Sequence, residues 1–371
     1  MILFENVSKI YEGSQAAAVE NLDLHIDKGD ICVLVGASGC GKTTTMRMIN
    51  KIISHTSGNI FVDGRDINTV NPIELRLEIG YVIQEIGLFP HYTIEKNIAT
   101  VPTEKKWDKA RTAKRVREMM ELMDLDPAEY AKKKPSMLSG GQRQRVGVAR
   151  ALAADPPVML MDEPFGSLDP ITRTKLQNEL LRIQTQLKKT IVFVTHDIDE
   201  AVKMGDKIAV MQHGKIVQYS SPREILTRPK NEFVENLVGQ NRILKRFSLI
   251  GCQSVVTSSA VFRLESQRQQ IIDKIQNFLQ SDAYPIMGIL DEGDRPLGYI
   301  PMFKYERGDT TSIEDRIVKR VRTINEEATL FEVVDLLFSS GERCVFRMDG
   351  EGRSTGIITI ADLFEAVRRD G

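Results

Sequence analysis

The chain is poor in everything that would suit an oxidising or membrane-spanning life. Its 371 residues hold four cysteines, Cys32, Cys40, Cys252 and Cys344, too scattered to make a C-x-x-C pair. Neither a structural zinc site nor a disulfide framework is expected from that spacing. Long hydrophobic runs are missing as well. No stretch nears the roughly 18 to 20 apolar residues that cross a bilayer. The opening MILFENVSKIYEG has no apolar core behind a basic region, so it does not read as a signal peptide. Nor is there a surplus of either charge: 50 Lys and Arg face 51 Asp and Glu. That balance argues against bulk nucleic-acid binding, which relies on a basic surface.

What is present is ordinary globular material. Apolar residues make up 42% of the chain, enough for buried cores. At about 150 residues per domain, two or three domains are expected. Up to about Phe233 strands and helices alternate. ICVLV (31–35), PVMLMD (157–162) and TIVFVT (190–195) are short, nearly continuous apolar runs, the pattern of central strands in a covered, mostly parallel sheet. Between about 91 and 155 the text turns to charged helical segments such as KARTAKRVREMMELM (109–123), which predict a helical insert. The stretch RPKNEFVENLVGQNRILKR reads as a connector. The expected division is 1–236, a linker over 237–250, and a smaller αβ region over 251–371. That last region holds a two-copy repeat, about 251–308 and 309–371. Asp291 and Asp349 lie 58 residues apart, as do Gly298 and Gly356, each pair inside a strand–turn–strand pattern preceded by a helical stretch.

The chemistry begins at Leu34. An apolar strand runs into Gly36-Ala37-Ser38-Gly39-Cys40-Gly41-Lys42-Thr43-Thr44, which fits G-x-x-x-x-G-K-[ST] and leads into a helix. The glycines let backbone N–H groups wrap a phosphate chain, and the following helix turns its positive end to the same anion. Lys42 is expected to reach the β/γ-phosphates and Thr43 to hold Mg²⁺. A dinucleotide reading needs G-x-G-x-x-G at this turn, and the spacing of Gly36, Gly39 and Gly41 rules it out. The second half of the site is VMLMDE. Its strand delivers Asp162, a candidate ligand for Mg²⁺ through water, and Glu163, placed to polarise an attacking water.

Leu138-Ser139-Gly140-Gly141-Gln142, followed by RQRVGVARAL, completes the set. With the phosphate loop before it and VMLMDE after it, the chain resembles the ATP-binding subunit of an ABC transporter. The resemblance implies an α/β P-loop ATPase with a RecA-like core and a helical subdomain. It implies that Tyr11 stacks on adenine and that Gln84 in YVIQEIGLFPH senses Mg²⁺ and the attacking water. Ser167-Leu168-Asp169 would cross to a partner subunit, and His196 in VTHD would contact the γ-phosphate. Ser139, Gly140, Gly141 and Gln142 would cap ATP held by a second copy, in a head-to-tail dimer with two ATPs between the chains. Nucleotide then biases an opening and closing switch.

One phosphate loop and no membrane span imply a separate transmembrane permease, with this chain at the cytoplasmic face of the membrane. IGYVIQEIGLFPHYTIEKNI (79–98) resembles the matching region of importers for glycine betaine, carnitine and choline, in which a solute-binding protein or domain also takes part. There it forms part of a groove for a permease helix, with Ile86, Leu88 and Phe89 as candidate contacts. The tail resembles a tandem pair of CBS modules. Thr359 and Asp362, in GIITIAD, match a Thr and an Asp that contact the ribose of an adenine nucleotide. The first copy, GYIPMFK, lacks both. Three roles stay open for the tail: binding an adenine signal such as cyclic di-AMP, sensing ionic strength at an anionic membrane over a Debye length of about 8 Å at about 0.15 M salt, or dimerisation. The expected activity is ATP hydrolysis coupled to uptake of quaternary amines. The alternatives are an ATPase for another amino-acid or polyamine-type importer, an exporter subunit, a non-transport ABC ATPase, and a nucleotide-sensing binding module, against which the intact Asp162, Glu163 and His196 set weighs.

Overall fold

The apolar runs build two sheets in the first part of the chain. The computed structural model describes residues 1–371 apart from 85–86, 167, 240, 256–260, 279–285, 303–311 and 370–371. It divides into two compact units, Met1–Gly239 and Gln240–Gly371. The strands of the first unit are β1 (Ile2–Ile10), β2 (Ala17–Ile26), β3 (Ile31–Val35), β4 (Ser57–Val62), β5 (Arg65–Asp66), β6 (Ile79–Val82), β7 (Val158–Asp162), β8 (Thr190–Thr195), β9 (Lys207–Gln212) and β10 (Lys215–Ser220). One sheet is antiparallel, in the order β2-β1-β4-β5; the other runs β10-β9-β3-β8-β7-β6.

Within the second sheet β9, β3, β8, β7 and β6 are parallel to their neighbours, and β10 closes one edge antiparallel. Every residue of β3, β7 and β8 is buried. Both faces of a parallel sheet are covered, which is why these strands read as unbroken apolar runs rather than alternating ones. Register aligns their ends: Val35 pairs with Thr195, and Val194 with Asp162. The loops that follow therefore open on one edge, the carboxyl edge, where ligands of open α/β sheets bind.

The expected insert is helical. Helices Ile94–Glu104, Lys109–Leu122 and Gly140–Leu152 pack on one another and join the core that covers one face of the parallel sheet. Their starts are written in the sequence: Thr93 accepts from the Lys96 amide and Asp108 from the Arg111 amide, each satisfying an otherwise unpaired donor of the first turn.

The second unit realises the repeat. Its strands are β11 (Val261–Arg263), β12 (Ile286–Leu290), β13 (Pro296–Pro301), β14 (Thr323–Asn325), β15 (Cys344–Met348) and β16 (Ser354–Thr359). Each copy makes a three-stranded sheet in which a parallel pair is followed by a hairpin. The equivalent residues behave alike. Asp291 Oδ1 accepts from the amides of Gly293 and Arg295, and Asp349 Oδ1 from those of Glu351 and Arg353. Gly298 faces Ile289 across its hairpin as Gly356 faces Arg347, with φ of +151° and +150°. Within the segment 237–250 lies a helix, Arg242–Phe247, whose Phe247 is buried in the second unit's core with Leu330, Val333 and Leu337.

Candidate active site

Four parallel strands deliver the site residues to one edge. β3 ends at Val35 and the chain enters the glycine-rich loop. Gly36, Gly39 and Gly41 all take positive φ, +154°, +78° and +106°. At Gly36 a β-carbon would lie 2.2 Å from the Met211 carbonyl oxygen; at Gly39 it would meet nothing within 4 Å. Gly36→Ala is therefore expected to lose ATP binding and to destabilise the fold by about 1–3 kcal/mol, the scale of local backbone strain. Gly39→Ala is expected to cost about 1–2 kcal/mol through its left-handed backbone alone. Thermal melts and ATP titrations of the pair check the contrast.

Lys42, 6% exposed, points its ammonium into the loop, donating to the carbonyls of Gly36 (2.8 Å) and Ala37 (3.0 Å). Cys40 Sγ lies 3.8 Å from the same nitrogen. Thr43 donates from Oγ1 to Asp162 Oδ1 at 3.0 Å, bringing together a hydroxyl and a carboxylate 119 residues apart. Both are hard oxygen donors of the kind Mg²⁺ prefers, and Mg²⁺ ordinarily takes only one or two protein oxygens beside phosphate and water. The residues fit that ion. Among the described residues no group of three or more His, Cys, Asp or Glu is gathered for a metal.

Asp162 is almost wholly buried, and Arg47 answers its charge: Nη2 lies 3.2 Å from Asp162 Oδ2 while Nε donates to the Tyr81 hydroxyl at 3.4 Å. The bond to Tyr81 is the main cause holding the Arg47 guanidinium above its usual pKa, and burial pushes the Tyr81 phenol up. Sequence reasoning missed Arg47. The signal was available: Arg47 is four residues after Thr43 on one helix, so both share the face that meets Asp162.

Beyond β7, Glu163 adopts φ of +44°, a left-handed conformation that a branchless but bulky side chain enters only at a cost. Its amide donates to the Val194 carbonyl at 3.0 Å. Its Oε2 receives Gln84 Nε2 at 3.4 Å and faces His196 Nδ1 at 3.3 Å. Thus Gln84 after β6, Glu163 after β7 and His196 after β8 converge on one oxygen. Gln84 joins the carboxylate of Glu163, while Thr43 joins Asp162.

The remaining expected residues sit apart. Tyr11 is 42% exposed and its hydroxyl lies 3.2 Å from Thr44 Oγ1, beside the loop. Ser139 caps helix Gly140–Leu152 in a reciprocal box with Gln142: the Gln142 amide donates to Ser139 Oγ, and Gln142 Oε1 accepts from the Ser139 amide at 2.9 Å. Gln142 Nε2 continues to the Tyr130 hydroxyl at 3.1 Å. Gln142 is thus engaged by the cap. Asp169 caps helix Pro170–Leu187, and hydrogen bonds from Thr172 hold its carboxyl below the usual range. Ser167 and Ile86 lie outside the described residues. Leu88 packs against the core, and Phe89, 41% exposed, lines a groove of about 300 Å³ with Tyr81, Ile83 and Arg150.

In the second unit Asp362 Oδ2 accepts from both the amide (2.8 Å) and the hydroxyl (2.7 Å) of Thr359. The Asp362 amide returns a bond to Thr359 Oγ1 at 3.4 Å. This is a capping box at the start of helix Ile360–Arg369, so the spacing has a structural purpose whatever else the pair does.

A phosphate loop on a buried parallel strand, a magnesium-type pair beside it and a strained glutamate one residue on define a P-loop ATPase. Family comparison gives the rest. Residues 19–166 match the ABC transporter family and residues 313–369 the CBS domain. The osmoprotectant import ATP-binding protein OsmV of Salmonella typhimurium is 43% identical, over 99% of this chain and 97% of its own. The glycine betaine/carnitine/choline transport ATP-binding protein OpuCA of Bacillus subtilis is also 43% identical, over 99% and 96%. Among solved structures, the dimeric bacterial ABC transporter cassette MJ0796 is 33% identical with a TM-score of 0.55, covering 60% of this chain and 99% of that one. The chain belongs to the ATP-binding proteins of ABC transporters, and within them to the group of osmoprotectant-import ATP-binding proteins that carry a CBS domain.

Proposed function

We propose that two copies of this chain clamp two ATPs between them and so drive an importer of quaternary-amine osmoprotectants such as glycine betaine, carnitine or choline. The observation that carries the chemistry is the convergence of Gln84 and His196 on one oxygen of Glu163. The full-length relatives named for osmoprotectant, betaine, carnitine and choline transport support the substrate class.

In this reading the amides of Gly39 to Thr43 and the first turn of helix Lys42–Ile49 receive the phosphates. Lys42 exchanges its two carbonyl acceptors for phosphate oxygens. Thr43 and Asp162 would hold Mg²⁺, which would supply positive charge to offset that of the phosphates. Glu163 orients the attacking water and accepts its proton. Gln84 fixes the Glu163 carboxylate from one side. His196, using Nδ1 for Glu163, keeps its other ring nitrogen for the γ-phosphate. Tyr11 covers the adenine. Ser139, Gly140 and Gly141 present a helix start and its free amides to the ATP of the second copy, and Asp169 lies on the crossing segment.

Among the described residues no helix is long and apolar enough to cross a membrane. The groove lined by Phe89, Tyr81 and Arg150 is proposed to receive a permease helix, which holds the chain at the cytoplasmic face. A solute-binding protein or domain completes the importer on the other side. Uptake of radiolabelled glycine betaine, carnitine and choline in a deletion strain tests the substrate class. Loss of uptake of at least one of them, restored by the intact chain and not by Glu163→Gln, is expected. Unchanged uptake of all three, with loss of amino-acid or polyamine uptake, contradicts it.

For the tail, an adenine nucleotide such as cyclic di-AMP is the proposed ligand. Thr359 and Asp362 place a hydroxyl and a carboxylate 2.7 Å apart at the end of β16, a pair that ribose hydroxyls can engage. Asp362→Asn is expected to weaken cyclic di-AMP binding about tenfold or more, the effect of losing one or two hydrogen bonds to a charged group. Calorimetric titration of the full chain decides. Unchanged affinity assigns the pair to capping alone.

A further inference from the structure

Behind His196 lies a buried charge that the catalytic reading leaves unused. Glu200, in helix Ile198–Met204, is 7% exposed. Its Oε2 accepts a hydrogen bond from Thr195 Oγ1 at 2.7 Å and its Oε1 one from Gln177 Nε2 at 3.4 Å. Arg173 Nε lies 3.8 Å from Oε1 and has no hydrogen-bond partner of its own among the described residues. A carboxylate this deep persists only where donors and an opposite charge surround it. Burial is the main cause pushing its pKa up, and the Thr195 bond opposes that.

The donors come from two places that matter. Thr195 is the residue before His196, and its Oγ1 also accepts the Asp197 amide at 3.1 Å. One hydroxyl therefore spans the turn that carries His196. Because a hydroxyl has a single proton, giving it to Glu200 leaves the lone pairs for Asp197. Arg173 and Gln177 stand on helix Pro170–Leu187, which begins at the Asp169 cap. Arg173 also reaches Asp197 (3.8 Å) and donates to the Leu168 carbonyl (3.4 Å). The network thus joins the His196 turn to the segment containing Leu168 and Asp169.

We propose that Glu200 is a positioning residue that locks the His196 turn to the helix beginning at Asp169, so that the segment facing the terminal phosphate and the segment facing the partner copy keep one geometry. This rests on the reading of His196 as a phosphate contact. Misplacing a catalytic group by even a short distance costs rate rather than ground-state binding of a nucleotide held elsewhere.

The test is steady-state ATP hydrolysis by the full-length chain carrying Glu200→Gln, Thr195→Val, both together, Thr195→Ser or His196→Ala. Glu200→Gln and Thr195→Val are each expected to lower kcat about tenfold to a hundredfold with KM for ATP within about twofold, the signature of misplaced geometry. The double variant should fall no further than the worse single one, since both changes act on one contact, Glu200→Gln by removing the acceptor's charge and Thr195→Val by removing the donor. Thr195→Ser, which keeps the hydroxyl, should recover the rate lost in Thr195→Val. Should Glu200→Gln fail to fold, the Thr195→Val and Thr195→Ser pair decides alone. A Glu200→Gln enzyme with unaltered kcat, strictly additive losses in the double variant, or a Thr195→Ser enzyme as slow as Thr195→Val overturns the proposal. If His196→Ala itself keeps full turnover, the catalytic reading fails; if His196→Ala is inactive while Glu200→Gln is unaffected, only the positioning role fails.

Discussion

Glu163→Gln is expected to reduce ATP turnover by about 10²–10⁴-fold, the range for loss of a positioned general base, while ATP affinity stays within about twofold. The substitution is nearly isosteric. Its amide oxygen can still receive Gln84 Nε2, which now stands 3.4 Å from the carboxylate, and His196 still faces the same atom at 3.3 Å. The phosphate loop is untouched, and Glu163 contributes no donor to it. The amide loses only the ability to take a proton from water. The left-handed backbone at residue 163, φ +44°, is set by the strand end and by the bond to the Val194 carbonyl, so it survives the change. Single-turnover hydrolysis measured beside equilibrium binding separates the two effects. Retained turnover would remove Glu163 from its role and return the question to Asp162 and His196.

Lys42→Ala is expected to act on the other side of the same ledger, weakening ATP binding about tenfold to a hundredfold, as expected when hydrogen bonds to a charged donor are lost. Lys42 is buried and gives its protons to two backbone carbonyls, Gly36 and Ala37. Removing it subtracts a positive charge from the phosphate cradle and leaves two carbonyls turned inward without a donor. Both changes oppose an anion. Lys42→Arg is not expected to restore binding, because the planar fork is larger than a point charge fitted between turns of a tight loop. Nucleotide titration in the Glu163→Gln background, where hydrolysis does not interfere, gives the comparison. Unchanged affinity would mean that the loop's amides alone hold the phosphates.

The parts of the fold that follow from periodicity and turn chemistry were legible in the sequence. The runs at 31–35, 157–162 and 190–195 are the buried strands β3, β7 and β8, because a strand covered on both faces has no polar side to show. The 58-residue spacing of Asp291 and Asp349 became the same turn twice, because one side-chain oxygen closes each turn on two amides. What stayed hidden are contacts between residues far apart in the chain. The four-residue spacing puts Arg47 on the helix face of Thr43, but nothing local pairs it with Asp162, 115 residues on, or marks Glu200 as the acceptor for Thr195 and Gln177. The Ser139 cap is legible in the sequence, but the returning half of the box is not. Gln142 and Asp362 stand in motifs that suggested ligands, and both spend oxygens on helix starts. The helix Arg242–Phe247 escaped notice because a single buried Phe247 gives no period to detect.

The central claim is that each copy closes the other's ATP site through the helix start at Ser139. Sedimentation of Glu163→Gln with Mg²⁺ and ATP, alone and combined with Ser139→Asp, tests it most directly. Aspartate caps a helix about as well as serine, so the fold is kept while a negative charge is set against the partner's triphosphate. The account predicts a dimer with two ATPs for Glu163→Gln, and for the combined variant a monomer that still binds ATP. A monomer in the first case, or an undiminished dimer in the second, would contradict it.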